Sequence, residues 1–271
     1  MPFSSYDDMV SEITSGKFQD FNFQKVTGTM HGAGIWHSLW RVNNTPSAGA
    51  DPATTPGTAY SNTAGSINFA AQATDTKHII TLGAVATTNC TLMLYDRLVG
   101  VSGISVASTG NKTINSTALG RYTGASALDV QCWLEVTTAT TTTAAVVNLN
   151  SYTNDAGTSG RSGANFTFPA AATVLNSFLG PLPLASGDLG VRSVEVGLNV
   201  ATAASAGVVN VVLIKPLLYL PLIANQWNER DAVLQITAMP RLFDGASLAM
   251  AVLASGTATT TVWGNLRVAW G

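Results

Sequence analysis

A chain of 271 residues with a formal net charge of −2, from 13 basic and 15 acidic side chains, has no bulk field to draw it to nucleic acid or an acidic membrane. Only 10% of its residues are charged, against about 25% in an ordinary soluble domain, and Thr, Ser, Ala, Asn and Gly fill their places. Two cysteines are too few for a disulfide framework, and a chain this long can bury a core without one.

A surface with so few charges is poorly protected against association, and interface cores are themselves depleted of Lys, Glu and Asp. The composition points to a chain normally packed against neighbours. A secreted, low-charge β protein is the alternative.

The opening stretch, MPFSSYDDMVSEI, is acidic and polar and lacks the basic start and apolar core of a secretory signal. Ser4 or Ser5 can cap a helix, Asp7 and Asp8 suit its first turn, and Tyr6, Met9, Val10 and Ile13 recur at helical spacing before Gly16. Phe18, Phe21 and Phe23 then load an extended arm with apolar surface. Residues 27–66 read as an irregular connector, because Pro46, Pro52 and Pro56 each exclude a central strand. Only IWHSLWRV, 35–42, could be regular there. So long a connection usually marks function or contact. The expected organisation is helix, arm and connector over 1–66 and a β body of one or two sandwiches over 67–271.

From residue 67 the chain alternates. Four units, 78–99, 129–152, 193–214 and 247–270, each hold a Thr-, Ala- or Ser-rich run between two extended segments and read as hairpins. In the second, Val130, Cys132, Leu134 and Val136 face one way, with Gln131, Trp133 and Glu135 opposite. In the third, Val194, Val196, Leu198 and Val200 oppose Ser193, Glu195, Gly197 and Asn199. Threonine stiffens extended backbone through its β-branch, and its hydroxyl bonds to turn backbone without adding charge. The expected fold is mainly β, an antiparallel jelly-roll or Greek-key-like sandwich with an N-terminal helix and extended arm. A short helix is expected over 170–178, stopped by Gly180 and Pro181. The apolar run 207–227 contains Asn210, Lys215, Pro216 and Pro221, so it does not read as a membrane span.

Tests for chemistry give little. His31, His37 and His78 show no HxH or HExxH spacing, so no metal site is expected. Ser186 lacks the G-x-S-x-G elbow of a nucleophile, and MHGAGIW lacks the Lys-Ser/Thr of a phosphate loop. Glu135 and Glu195 would matter as a carboxylate pair only if they flanked one cleft; each is expected to face solvent. Cys90 and Cys132 are expected as buried free thiols. No catalytic residue, cofactor or small-molecule ligand is expected.

The segments GIWHSLWRVNNTPSAGADPATTPG and GTATTTVWGNLRVAWG, with the apolar N-terminal arm, resemble virion structural proteins of tailed bacteriophages in style. The resemblance implies a non-enzymatic, capsid-associated cement or decoration protein, located in the virion and homo-oligomeric, with a trimer favoured. Its partners would be the major capsid protein or other virion subunits, with neither nucleic acid nor membrane. The major capsid protein itself usually carries a long spine helix, for which this chain offers no candidate. Phe18, Phe21, Phe23, Ile35, Trp36, Leu39 and Trp40 are the candidate interface residues. The competing readings are another phage head or tail structural subunit, and a carbohydrate-binding or host-attachment β-sandwich module that stacks sugars on Trp36, Trp40, Trp133 or Trp227.

Overall fold

The computed structural model describes residues 3–30, 32–72, 74–141, 143–169, 173–231 and 240–271. One helix, α1 (Tyr6–Thr14), precedes β1 (Phe18–Val26), β2 (Trp36–Ser38), β3 (Asn44–Thr45), β4 (Thr58–Ala59), β5 (Lys77–Ala86) and β6 (Cys90–Ser105). Next come β7 (Gly110–Thr113), β8 (Gln131–Thr138), β9 (Val146–Asn154), β10 (Arg161–Ser162), β11 (Phe166–Thr167) and β12 (Ser177–Leu179). The last are β13 (Val191–Thr202), β14 (Val208–Leu222), β15 (Asn228–Asp231), β16 (Arg241–Leu242), β17 (Leu248–Ala254) and β18 (Thr261–Trp270).

The helix starts as its sequence dictates. Ser5 Oγ accepts the Asp8 N–H at 3.1 Å, while the Asp8 carboxylate accepts the Ser4 N–H at 2.9 Å. Met9 then packs with Ile80 and Ala269, laying α1 across one end of a sheet.

The fold is mainly β and antiparallel. Strands β14, β8, β12, β2, β17 and β6 pair in that order, and β6 pairs back onto β14. Six strands therefore close into a barrel, which leaves no open edge among them. Its long staves, β6 and β14, run together from Ser105 opposite Val208 to Cys90 opposite Leu222, with three register shifts along the way. Pro216 and Pro221 are tolerated in β14 because its pairing with β8 stops at Ile214. Beyond that point no second ladder exists among the described residues for a missing N–H to break.

The barrel is too narrow for anything but side chains. Met93, Tyr95, Trp133, Phe178, Val212, Ile214, Ala249 and Ala251 fill it, joined by Trp40 and Tyr60 from the connector. Phe178 stacks on Trp133 at 4.7 Å and on Tyr95 at 5.6 Å.

Two further sheets lie against the outside of the barrel. The first runs β15-β5-β18-β1-β3, with β16 on β5; the second runs β10-β9-β13-β7, with β11 on β9. Leu92, Leu94, Leu220 and Val252 of the barrel face Leu82, Val262, Leu266 and Val268 of the first sheet. Val101, Leu134, Val211 and Leu213 face Val147, Leu149, Leu198 and Val200 of the second.

This arrangement corrects the four expected hairpins. In each unit the two strands lie in different sheets: β5 and β6, β8 and β9, β13 and β14, β17 and β18. The units are arches that carry the chain between the barrel and a flanking sheet. Alternation reports which face of a strand is apolar, and it is silent about which strand lies alongside. The Thr- and Ser-rich runs are the corners, and the corners meet in pairs. The Thr88 and Thr260 hydroxyls bond to each other, and Ser255 Oγ donates to the Asn89 carbonyl at 2.6 Å. Across the other pair of arches, the Thr143 and Ser205 hydroxyls lie 3.4 Å apart. Hydroxyls thus supply the corner hydrogen bonds without charge.

Three more expectations change. The extended arm is β1, held between β18 and β3, so β1 is a ladder strand. Residues 1–66 contribute β1 to β4 to sheets whose other strands come from 67–271. Of the helix expected over 170–178, residues 170–172 lie outside the described residues, and Ser177 and Phe178 belong to strand β12. Among the described residues no helix is long and apolar enough to cross a membrane. The apolar run 207–227 is largely β14.

Candidate functional site

Two regions concentrate polar chemistry, the barrel interior and the outer face of the first flanking sheet. In the barrel, consecutive residues of β6 point to opposite sides of the wall. Arg97 points inward, where its Nη2 lies 2.9 Å from Glu135 Oε2, and both side chains are fully buried. Its guanidinium lies 4.6 Å from the Trp40 ring and 4.9 Å from the Tyr60 ring. The Ser38 hydroxyl donates to Glu135, and Asn210 Nδ2 bridges Glu135 at 3.5 Å to Asp51 at 3.0 Å. Burial works to raise the Glu135 carboxyl, but the Arg97 charge and the Arg97 and Ser38 hydrogen bonds outweigh it and hold it below its ordinary value.

Asp96 points outward and is clasped by Arg121, at 2.9 Å to Nε and 2.7 Å to Nη2. Arg121 also donates to the Tyr60 carbonyl at 2.8 Å. Two ion pairs, back to back through one strand, thus pin the connector to the barrel. Each charge is matched within the protein, so the arrangement fixes register and loop position.

Glu135 is therefore not solvent-facing. Ring closure buries both faces of β8, which a half-buried strand pattern does not anticipate. Glu195 sits half-buried on the outer face of the second flanking sheet, accepting from the hydroxyls of Thr153, Ser193 and Ser151. The two carboxylates belong to different layers and share no cleft. Ser186 lies in a turn and its carbonyl accepts from Arg161. The neighbouring Asp188 is brought down to about 2 by its hydrogen bonds from Arg161, and also from Tyr152 and Asn154, against a smaller burial effect. Cys90 and Cys132 are free and buried, and burial pushes the Cys90 thiol up to about 11. His31 lies outside the described residues, His37 is buried, and His78 lies 5.7 Å from Phe3. Among the described residues no three His, Cys, Asp or Glu side chains are grouped to hold a metal ion.

The expected interface residues divide. Phe23, Leu39 and Trp40 are buried inside the chain itself. Trp40 owes this to Gly49, where a Cβ would fall 2.0 Å from its ring, and to a 2.9 Å hydrogen bond from its Nε1 to the Ala50 carbonyl. Phe21, Ile35 and Trp36 are half-buried. Phe18 remains accessible on the outer face of β1, under the Arg267 guanidinium at 5.1 Å.

Of the four tryptophans expected as stacking platforms, Trp40 and Trp133 are inside the barrel and Trp36 sits half-buried 6.2 Å from Trp133. Trp227 is 53% exposed. It lies across the first flanking sheet beside a second exposed indole, Trp263 of β18, at 39%. Trp263 is not among the tryptophans expected as stacking platforms, although alternation in TVWGNLRV sets Trp263, Asn265 and Arg267 opposite Val262, Leu266 and Val268. Between the indoles lies an open cleft of about 600 Å³, lined also by Asn22, Gln24, Thr45 and Asn265. Its floor is the ladder of β1 and β18, where Asn22 faces Asn265 and Gln24 faces Trp263. Asn265 Nδ2 donates to Asn22 Oδ1 at 3.0 Å.

No protein-family model, curated protein or solved structure matches this chain.

Proposed function

We propose that the chain is a non-enzymatic structural subunit of a phage virion, of the cement or decoration kind, acting through contacts between its sheet faces and neighbouring subunits. In this reading the barrel wall and the flanking sheets form the layered, sandwich-like body, and a homotrimer is the favoured assembly. The observation that carries it is the dress of the second flanking sheet. Asn111, Asn199 and Asn148 align across β7, β13 and β9. Asn199 donates to Asn148 at 3.0 Å, and Asn150 donates to Asn111 at 3.0 Å. Amides already bonded to each other lose less on leaving water than charges would. Leu189 and Val196, 64% and 45% exposed, add apolar area on the same sheet and at its margin. Such a face suits a protein neighbour, and an obligate interface would bury roughly 2,000 Å² or more.

Light scattering on the size-exclusion peak is expected to give a closed oligomer. Asn148→Lys with Asn199→Lys is expected to dissociate it while the melting curve of the monomer stays cooperative. Purified capsids that retain the protein through a density gradient would support the same reading. A stable monomer that neither self-associates nor co-sediments with particles would overturn it.

A further inference from the structure

The cleft between Trp227 and Trp263 is uncommitted by that assembly role, and its chemistry is specific. Trp227 is held in two ways. Its Nε1–H donates to Glu229 Oε2 at 3.3 Å, and its ring lies on the backbone at Gly83, where a Cβ would fall 2.3 Å from Cζ2. Only glycine leaves room for the indole at that point of β5. Trp263 stands on β18, which is paired with β1 on one side and β5 on the other. Both platforms are therefore set before any ligand arrives, so little ordering entropy remains to oppose binding.

Amides fill the space between. The Asn22–Asn265 bond uses one N–H of Asn265 and the amide oxygen of Asn22, leaving both amide N–H groups of Asn22 and the amide oxygen of Asn265 to the cleft they line. Gln24 adds a complete amide. Each partner for these groups must donate and accept, as a hydroxyl does. Among the described residues the lining carries no charge: Asp20 and Arg267 close on each other at 2.8 Å, and Glu229 is engaged by Trp227. A phosphate or a nucleic acid strand would find no Lys or Arg here. An extended peptide would find the backbone of β1 and β18 already spent on their mutual ladder.

We propose that this cleft binds a neutral oligosaccharide, with sugar rings stacked on Trp227 and Trp263 and hydroxyls bonded to Asn22, Gln24 and Asn265. The apolar faces of pyranose rings match indoles, which combine a large apolar surface with rigid geometry. The volume falls within the range of about 300–1,000 Å³ typical of small-ligand sites.

The test is an array of neutral hexose and N-acetylhexosamine oligosaccharides, followed by tryptophan-fluorescence titration of those that bind. Trp227→Ala and Trp263→Ala are each expected to weaken binding roughly tenfold or more. Gly83→Val is expected to do the same by displacing Trp227. Melting curves show whether each variant is folded. Light scattering on the same variants is expected to show an unchanged oligomer, which separates this site from the assembly reading. The proposal is overturned if no neutral oligosaccharide binds at millimolar concentration, or if binding survives Trp227→Ala with Trp263→Ala. Finding a second copy of the chain or another virion subunit seated in the cleft would overturn it as well.

Discussion

Replacing Glu135 with glutamine keeps the side-chain shape and removes one charge from the centre of the barrel. Arg97 would then carry its full charge with no exposure and no anion at 2.9 Å. Breaking one side of a buried pair costs about 3–5 kcal/mol, because the surviving ion stays desolvated. The rings of Trp40 and Tyr60 attract the guanidinium both before and after the change, so they offset none of this loss. The glutamine oxygen can still accept one bond from Arg97, which sets the expected loss near the lower end, about 3 kcal/mol. For a chain of 271 residues that lowers the melting temperature by about 5 °C. Arg97→Met alone is expected to cost a similar amount, for the mirror-image reason. The double variant Arg97→Met with Glu135→Leu removes both desolvation penalties and is expected to lie within about 1 kcal/mol of the parent. Urea unfolding followed by tryptophan fluorescence reads all of these. If the double variant loses the sum of the two single losses, the pair is not a coupled unit and the reasoning fails. The pair also has a pH signature. With the carboxyl held below its ordinary value in the fold, its contribution is present above the unfolded value of 4.5 and is lost as pH falls through the folded one.

Lys25 is buried with its ammonium on the Val42 and Pro46 carbonyls, each at 2.7 Å, and burial lowers it from 10.5 to about 8. The native state thus binds fewer protons than the unfolded chain between those values, so stability relative to Lys25→Met is expected to rise from pH 8 to pH 10.5; a flat or falling difference in melting temperature would refute this. Asp188, held at about 2, is expected to support the fold above its unfolded value of 3.8 and to lose that support as pH falls through 2. Acid titration of Asp188→Asn beside the parent checks it, and identical acid limbs would count against the assignment. Gly197 has φ +156, and a Cβ there would fall 1.7 Å from the Lys112 carbonyl oxygen. Gly197→Ala is expected to cost roughly 2 kcal/mol or more and to speed amide exchange where β7 pairs with β13; unchanged exchange there would show that the strands absorb the methyl.

Some of this protein was written in neighbouring residues. Ser5 capping Asp8, the helical spacing of Tyr6, Met9 and Ile13, and the inward alternation of Val130, Cys132, Leu134 and Val136 are local consequences of side-chain and backbone geometry. They appear in the fold as expected. The small, uncharged corners rich in Thr and Ser were legible for the same reason. Trp263 was equally legible by period two.

What local sequence could not decide was which strand each segment would adopt as a neighbour. A strand's hydrogen bonds go from backbone to backbone, and any extended segment can supply them. Pairing β6 with β14 rather than with β5, and β2 with β12, depends on contacts more than a hundred residues apart in sequence. That closure turned the polar face of β8 into an interior, which is why Trp133 and Glu135 are buried and why Glu135 needs Arg97. It also spent Leu39 and Trp40 on the chain's own core. Residue type and spacing determined which faces were apolar; only the assembled sheets decided which of those faces would meet, because burial belongs to the whole arrangement and not to any one segment.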